Sequence, residues 1–392
     1  MTNSKLVPRR RFKEFESDDE WEKRKLGDLS NITAGGDVDK AKLMPVGNFP
    51  VLANAHTGDG IIGYYDNEYQ IEAPAVTVTG RGEIGFAKAR RENFTPVVRL
   101  LSVKSNHNVD FLAEAINQNK VIFESTGVPQ LTIPKLSNYN LFFPSKIEEE
   151  NTIGDFMRTI DNVIAINQHK LDKLKNLKKA YLSEMFPAEG ECVPKRRFPG
   201  FEGEWEERKL TEVTEVITKG TTPKDKNWNG SVNYIKTESI NSESGKLVRT
   251  SSTTLEEHEG YLSRSKLKTG DVLFSIVGTL GRVGIVEEED LPANTNQQIA
   301  IIRLLSPSSE FVMYSLKTTS VKSFIKTDAT IGAQPSISLW QIEELKLLFP
   351  TITEQEAISS YFKVLDRLIT LQQQKLDKLN DLKKAYLNEL FV

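Results

Sequence analysis

Apolar residues recur three or four positions apart through two long stretches of the chain. In the first they are Ile153, Phe156, Ile160, Ile164, Leu171, Leu174, Leu177, Tyr181 and Met185. In the second they are Ile358, Phe362, Leu365, Ile369, Leu376, Leu379, Leu382, Tyr386 and Leu390. Lysines and carboxylates fill much of the remainder. This spacing predicts two amphipathic helices of roughly 37 residues, rods of about 55 Å with one apolar seam each. Ser145 with Glu148, and Thr353 with Glu356, are spaced as capping boxes at their starts. Asn167 and Gln372 fall at equivalent places near the seam, where a polar residue either fixes register or sits at a solvated edge.

The two stretches are copies. Residues 170–186 read KLDKLKNLKKAYLSEMF and residues 375–391 read KLDKLNDLKKAYLNELF, identical at 13 of 17 positions with an offset of 205. A second pair of markers, VPRRRFKEFESDDEWEKRKL from Val7 and VPKRRFPGFEGEWEERKL from Val193, opens each half. Between the markers the halves diverge. A period this long is a duplicated two-part unit and not a solenoid. Runs such as Ala75-Val76-Thr77-Val78, Val97-Val98-Arg99-Leu100 and Ile299-Ala300-Ile301-Ile302 predict strands, and Val109–Gln118 and Ser309–Lys322 predict helices. The expected fold is therefore two mixed α/β (α+β) domains joined by two long antiparallel coiled-coil helices, a pseudo-twofold internal repeat. Its boundaries are a first variable domain over 1–146, a first helix over 147–187, a linker over 188–192, a second variable domain over 193–350 and a second helix over 351–392.

Composition narrows the function. Lys and Arg total 51 against 54 Asp and Glu, a formal net charge of −3, which excludes a wholly basic binder but not local basic patches. One cysteine, Cys192, leaves neither a disulfide framework nor a multi-cysteine zinc site. The four histidines, His56, His107, His169 and His258, stand too far apart for metal-ligand spacing. No apolar run approaches the roughly 20 residues of a membrane span, and the amino terminus lacks the apolar segment of a signal peptide, so a cytoplasmic protein without membrane contact is expected. There is no GxxxxGK[ST], GxSxG, HExxH or dinucleotide GxGxxG, and no Asn/Asp-Pro-Pro-aromatic tetrapeptide to hold an amine for methyl transfer. The chain reads as non-catalytic, with no metal site and no cofactor of its own.

Binding features are better represented. Arg81, Lys88, Arg90, Arg91, Arg99 and Lys104 face only Glu83 and Glu92 over residues 81–104. In the second half Lys219, Lys224, Lys226 and Lys236 surround Asp225, with Thr221, Thr222, Asn227 and Trp228 interleaved, and Lys317, Lys322 and Lys326 follow later. Basic residues mixed with amides and hydroxyls suit phosphate anchoring together with base-edge hydrogen bonding. A glycine turn also recurs, Gly80-Arg81-Gly82-Glu83-Ile84-Gly85 against Thr279-Leu280-Gly281-Arg282-Val283-Gly284, each after a strand-like run; either it is a folding turn or it presents Arg81 and Arg282 to nucleic acid. Gln130, Gln297 and Gln334 complete the candidate DNA-contacting set. The exposed faces of the repeated helices offer Lys178, Lys179, Tyr181, Lys383, Lys384 and Tyr386 as candidate partner-binding residues.

Two divergent domains alternating with two near-identical helices resemble the specificity subunit of a type I restriction–modification enzyme over essentially the whole chain. The repeat KLDKLxxLKKAYLxExF, the Thr353-Glu354-Gln355-Glu356 helix start after Phe349-Pro350, and the segments Gly127-Val128-Pro129-Gln130 and Gly332-Ala333-Gln334-Pro335 carry the likeness. Glu149-Glu150-Asn151 departs from the Glu-Gln pair in the first copy. The resemblance implies two target-recognition domains, each reading one half of a bipartite, asymmetric double-stranded DNA site. It also implies helices that space the readers and dock two methyltransferase subunits, through which two restriction–translocase subunits join. S-adenosylmethionine, ATP and Mg would then sit on those partners. The alternative from another class is a coiled-coil adaptor joining two protein-binding domains. A self-sufficient methyltransferase lacks its tetrapeptide.

Overall fold

The computed structural model describes residues 6–55, 57–119, 130–306, 308–330, 332 and 334–392. His56, Gly127-Val128-Pro129 and Ala333 lie outside them. The chain divides into two compact units, Met1–Gln168 with Gln374–Val392, and His169–Gln373.

In the first unit, β1 (Glu22–Lys25), α1 (Leu26–Leu29), β2 (Ser30–Ala34), β3 (Phe49–Leu52), β4 (Ile61–Tyr65), β5 (Ala75–Thr79), β6 (Ala87–Arg90), β7 (Thr95–Pro96) and β8 (Leu100–Ser105) precede α2 (Val109–Gln118), α3 (Ile133–Ser137) and β9 (Asn140–Phe143). The main sheet runs β2-β8-β5-β6, a second runs β4-β3-β7, and β1 pairs with β9. All five residues of β5 are buried, as expected of a central strand covered on both faces. Val76 and Val78 meet Phe111, Leu112 and Ile116 of α2 in the main core. Asn108 caps α2 by accepting from the amides of Asp110 and Phe111 at 3.0 and 3.1 Å. Val97-Val98-Arg99, expected to be strand, forms the turn into β8: Leu100 donates to the Val97 carbonyl and Arg99 adopts φ 73°. The chain then enters α4 (Ile147–Glu184), 38 residues long.

The second unit repeats the plan with other residues. It contains β10 (Glu206–Lys209), β11 (Thr214–Lys219), β12 (Val232–Ile235), β13 (Ser252–Thr253), α5 (Leu255–Glu259), β14 (Val272–Ser275), β15 (Val283–Ile285), β16 (Ala293–Thr295) and β17 (Ile299–Leu304). Helices α6 (Ser309–Ser315), α7 (Thr319–Asp328) and α8 (Leu339–Glu343), strand β18 (Lys346–Phe349) and the 39-residue α9 (Ile352–Leu390) come next. The sheets are ordered β11-β17-β14-β15, β13-β12-β16 and β10-β18, the same arrangement as before. Ser309–Lys322 is thus two helices, divided at Leu316-Lys317-Thr318. Gly35 and Gly220 explain why both plans need a glycine after the first main-sheet strand. A Cβ there would collide with the backbone carbonyls of Pro96 and Val97, or of Thr295 and Asn296.

Each unit contains a piece of both long helices, running antiparallel. In the first, Phe156 meets Tyr386 edge-on and Lys383 bridges Asp161 and Glu114. In the second, Tyr181 meets Tyr361, and Lys178 bridges Asp366 at 2.5 Å while donating to the Glu243 carbonyl. These contacts are the same pairs moved by 205 residues. The buried bidentate pairs Arg11–Glu149 and Arg197–Glu354 are equivalent too, and strap the opening marker of each half to the start of its long helix. Helix α9 begins at Ile352, so Thr353 lies inside its first turn and is not the cap. Asn167 is buried and donates to the Val163 carbonyl one turn back, and Gln372 is half-buried, so neither stands at an open solvated edge.

The Glu-Gln pair and its Glu-Glu replacement do the same work. Glu150 accepts from the Asn108 amide and pairs with His107, while Gln355 accepts from the Ser308 amide. Each holds the residue that caps α2 or α6.

Candidate nucleic-acid interface

Strand β5 ends at Thr79 and β14 at Ser275, and their hydroxyls shape equivalent turns. Thr79 donates to the Glu83 carbonyl and accepts from the Phe86 amide; Ser275 donates to the Thr279 carbonyl and accepts from the Arg282 amide. The glycines with positive φ are Gly82 and Gly85 in the first turn, Gly278 and Gly281 in the second. The matching sequence is therefore Gly82-Glu83-Ile84-Gly85 with Gly278-Thr279-Leu280-Gly281. Alignment on Gly281-Arg282-Val283-Gly284 is out of register by three residues, because identical glycine spacing outweighs the strand-end hydroxyl. A Cβ on Gly82 or Gly278 would meet nothing within 4 Å, so both turns project into open space.

Three backbone segments meet beside each turn. In the first unit Leu131 donates to the Gly80 carbonyl at 2.9 Å, Arg81 bridges Gln130, and the Arg99 carbonyl lies against Gly80, whose amide turns instead to Asn54. In the second, Ile337 donates to the Ile276 carbonyl at 2.9 Å, Val277 bridges Ser336, and the Ile276 amide donates to the Gln298 carbonyl at 2.8 Å. Strand register equates Val98-Arg99 with Gln297-Gln298. Gln130 is the counterpart of Ser336, not of Gln334. One frame thus carries Arg81, Val98, Arg99 and Gln130 in one domain, and Val277, Gln297, Gln298 and Ser336 in the other. Sequence reasoning missed Asn54, Val98, Gln298 and Ser336, since nothing in their local pattern marks them; only the register aligns them.

The remaining candidates fall into two groups. Arg81, Lys219, Lys224, Lys226, Asn227, Thr279, Gln297 and Gln334 are exposed. Lys224 lies over the Tyr261 ring at 4.7 Å and Lys236 over Trp228 at 3.6 Å, giving the second domain a basic and aromatic surface with Trp228 held at φ 56°. The others are already engaged. Lys88 pairs with Asp59, and Arg91 with Asp110. Arg90 donates to Thr77 Oγ1 and the Asp59 carbonyl, and burial lowers its pKa. Thr221 is buried beneath Arg264, which donates to its hydroxyl. Arg282 donates to the Thr237 and Ile240 carbonyls, so it braces its own domain and is not presented outward.

On the long helices the expected exposed face is only partly there. Lys178 is buried and Lys383 half-buried, both in the interhelical ion pairs. Tyr181 and Tyr386 are half-buried in ring contacts, and Lys179 and Lys384 are exposed. Beside Lys178, Lys317 reaches the same Glu243 carbonyl at 3.3 Å, while Asp366 is shared with Tyr314 at 2.8 Å. Burial and the Lys178 charge lower the Lys317 pKa to about 7. Among the described residues no cluster of three or more metal-binding side chains occurs, and no helix is long and apolar enough to cross a membrane.

Two α/β domains of one plan, each with a copy of the same backbone frame but different side chains on it, alternate with repeated helices and define a duplicated α/β scaffold. The model of the type I restriction modification DNA specificity domain matches residues 18–176 and 202–381, and the chain belongs to that family as a type I restriction–modification specificity subunit. It is 23% identical over 277 residues to the type I restriction enzyme MjaVIII specificity subunit of Methanocaldococcus jannaschii, covering 68% of this chain and 64% of that one. To the HindI specificity subunit of Haemophilus influenzae it is 24% identical over 238 residues, 57% of this chain and 50% of that one. The matches therefore span between half and two thirds of these relatives. In structure it is similar to the S subunit of a type I restriction–modification system from M. genitalium, with TM-score 0.67, 15% identity and 99% of each chain covered. At that identity the likeness concerns the fold.

Proposed function

We propose that each α/β domain reads one half of a bipartite, asymmetric double-stranded DNA site. The long helices then set the gap between the halves and dock two methyltransferase subunits, which in turn carry two restriction–translocase subunits. In this reading the chain itself performs no chemistry. S-adenosylmethionine is bound by the methyltransferases, and ATP and Mg by the translocases. The supporting observation is the reading frame itself: its backbone is the same in both domains, and its outward side chains are not. Repeated arms, conversely, suit a pair of identical partners.

The test is to replace residues 193–349 with the corresponding region of another family member and sequence the methylated bases made by the assembled enzyme. One half of the recognised site is expected to change while the other stays. A change in both halves together would overturn the two-reader assignment. Lack of DNA binding by the wild-type assembly would favour the protein-joining adaptor.

A further inference from the structure

The two frames differ in a systematic way. At the place beside the glycine turn, the first domain has exposed Arg81 and the second has Val277. At the neighbouring place on the turn before β8 or β17, the first has Val98, 46% exposed, and the second has exposed Gln297. Polar reader and valine have exchanged positions on one backbone. Arg81 sits in a segment fixed on both sides, by Leu131 bonded to Gly80 and by the positive φ of Gly82. The hydroxyl of Thr222 donates to Gln297 Oε1, which tethers the amide of this exposed side chain. A guanidinium matches the O6 and N7 acceptors of guanine, and a carboxamide matches N6 and N7 of adenine. An exposed valine offers neither, but suits the thymine methyl group.

Resting on the DNA-reading role above, we propose that Arg81 recognises a guanine in one half-site and Gln297 an adenine in the other. Arg81 and Gln297 are thus the specificity-determining residues of their domains, working from adjacent places in a common frame. Lys88, Arg90 and Arg91, already engaged within the domain, contribute little to the choice of base.

The experiment uses the full chain assembled with the methyltransferase subunits of its own system, acting on a library of duplexes randomised at each position of the site. Arg81→Lys keeps the charge and removes the fork; Gln297→Ala removes the amide. R81K is expected to cut discrimination for guanine at one position by roughly 10- to 100-fold, the worth of one bidentate contact, with the other half-site unaffected. Q297A is expected to do the same for adenine in the opposite half. Rates lowered equally on all sequences would show phosphate contacts, and unchanged preferences at wild-type rates would place the frame away from DNA. Either result overturns the assignment while the two-reader function stands. A wild-type assembly with no bipartite preference would remove both.

Discussion

Buried charges carry sharp consequences at the residue scale. Glu149 and Glu354 are fully buried and each binds an arginine through both oxygens. Removing one charge from such a pair strands the other, at a cost of about 3–5 kcal/mol. Glu149→Gln should therefore lower the stability of the first unit by about that much in denaturant unfolding. Glu150→Gln should cost about 1 kcal/mol or less, because the second copy already uses Gln355 to hold the equivalent amide. Lys317 gives a pH signature. Its folded pKa lies near 7, below the ordinary value of 10.5, so between those values the unfolded chain binds more protons. Stability of the second unit should rise with pH across that window and level off above it. Lys317→Met should flatten the slope, as read from unfolding midpoints between pH 7 and 9.

At the scale of elements, Lys178 and Lys179 separate two roles that adjacent positions would otherwise confuse. The first closes an ion pair between the long helices, and the second is solvated. Charge reversal at Lys178 or Lys383 should destabilise the chain before any partner is added. Reversal at Lys179 and Lys384 should leave unfolding unchanged and weaken methyltransferase binding in size-exclusion assays. Full-strength binding by that double variant would move the docking face elsewhere. The long helices are legible in the sequence because a 3.6-residue period persists over ten turns, and α2 because an apolar face succeeds a capping asparagine. The reading frame is not. Its members lie far apart in sequence and meet only through strand register, and a glycine repeat read by spacing alone slides by three positions. Likewise, burial of Lys178 and bracing by Arg282 depend on partners tens of residues or more away, which no local pattern announces.

For the whole molecule, α4 and α9 are continuous helices of 38 and 39 residues, and in the proposed function their length becomes a distance along DNA. Four residues inserted after Leu174 lengthen α4 by about 6 Å and turn the rest of the helix by roughly 40°. The preferred gap between half-sites should grow by about one or two base pairs at 3.4 Å each, with both half-sequences retained. Sequencing the bases methylated by the insertion variant reads this directly. A fixed gap with surviving activity would make the helices a docking element alone.

The first unit is built from the two ends of the chain. Phe391 stacks on Phe111 at 5.2 Å and meets Trp21 edge-on, and Leu390 joins the same core. A ribosome delivers these partners after the whole second unit. The stretch from His169 to Gln373, roughly 200 residues, must be synthesised between the two parts of this unit. At about 5–20 residues per second, that is on the order of 10–40 s. The domain made first thus waits with an open apolar groove while the second unit, contiguous in sequence, can close at once. A released chain truncated after Gln373 should resist protease over the second unit and be cut in the first, and restoring residues 374–392 should abolish that difference.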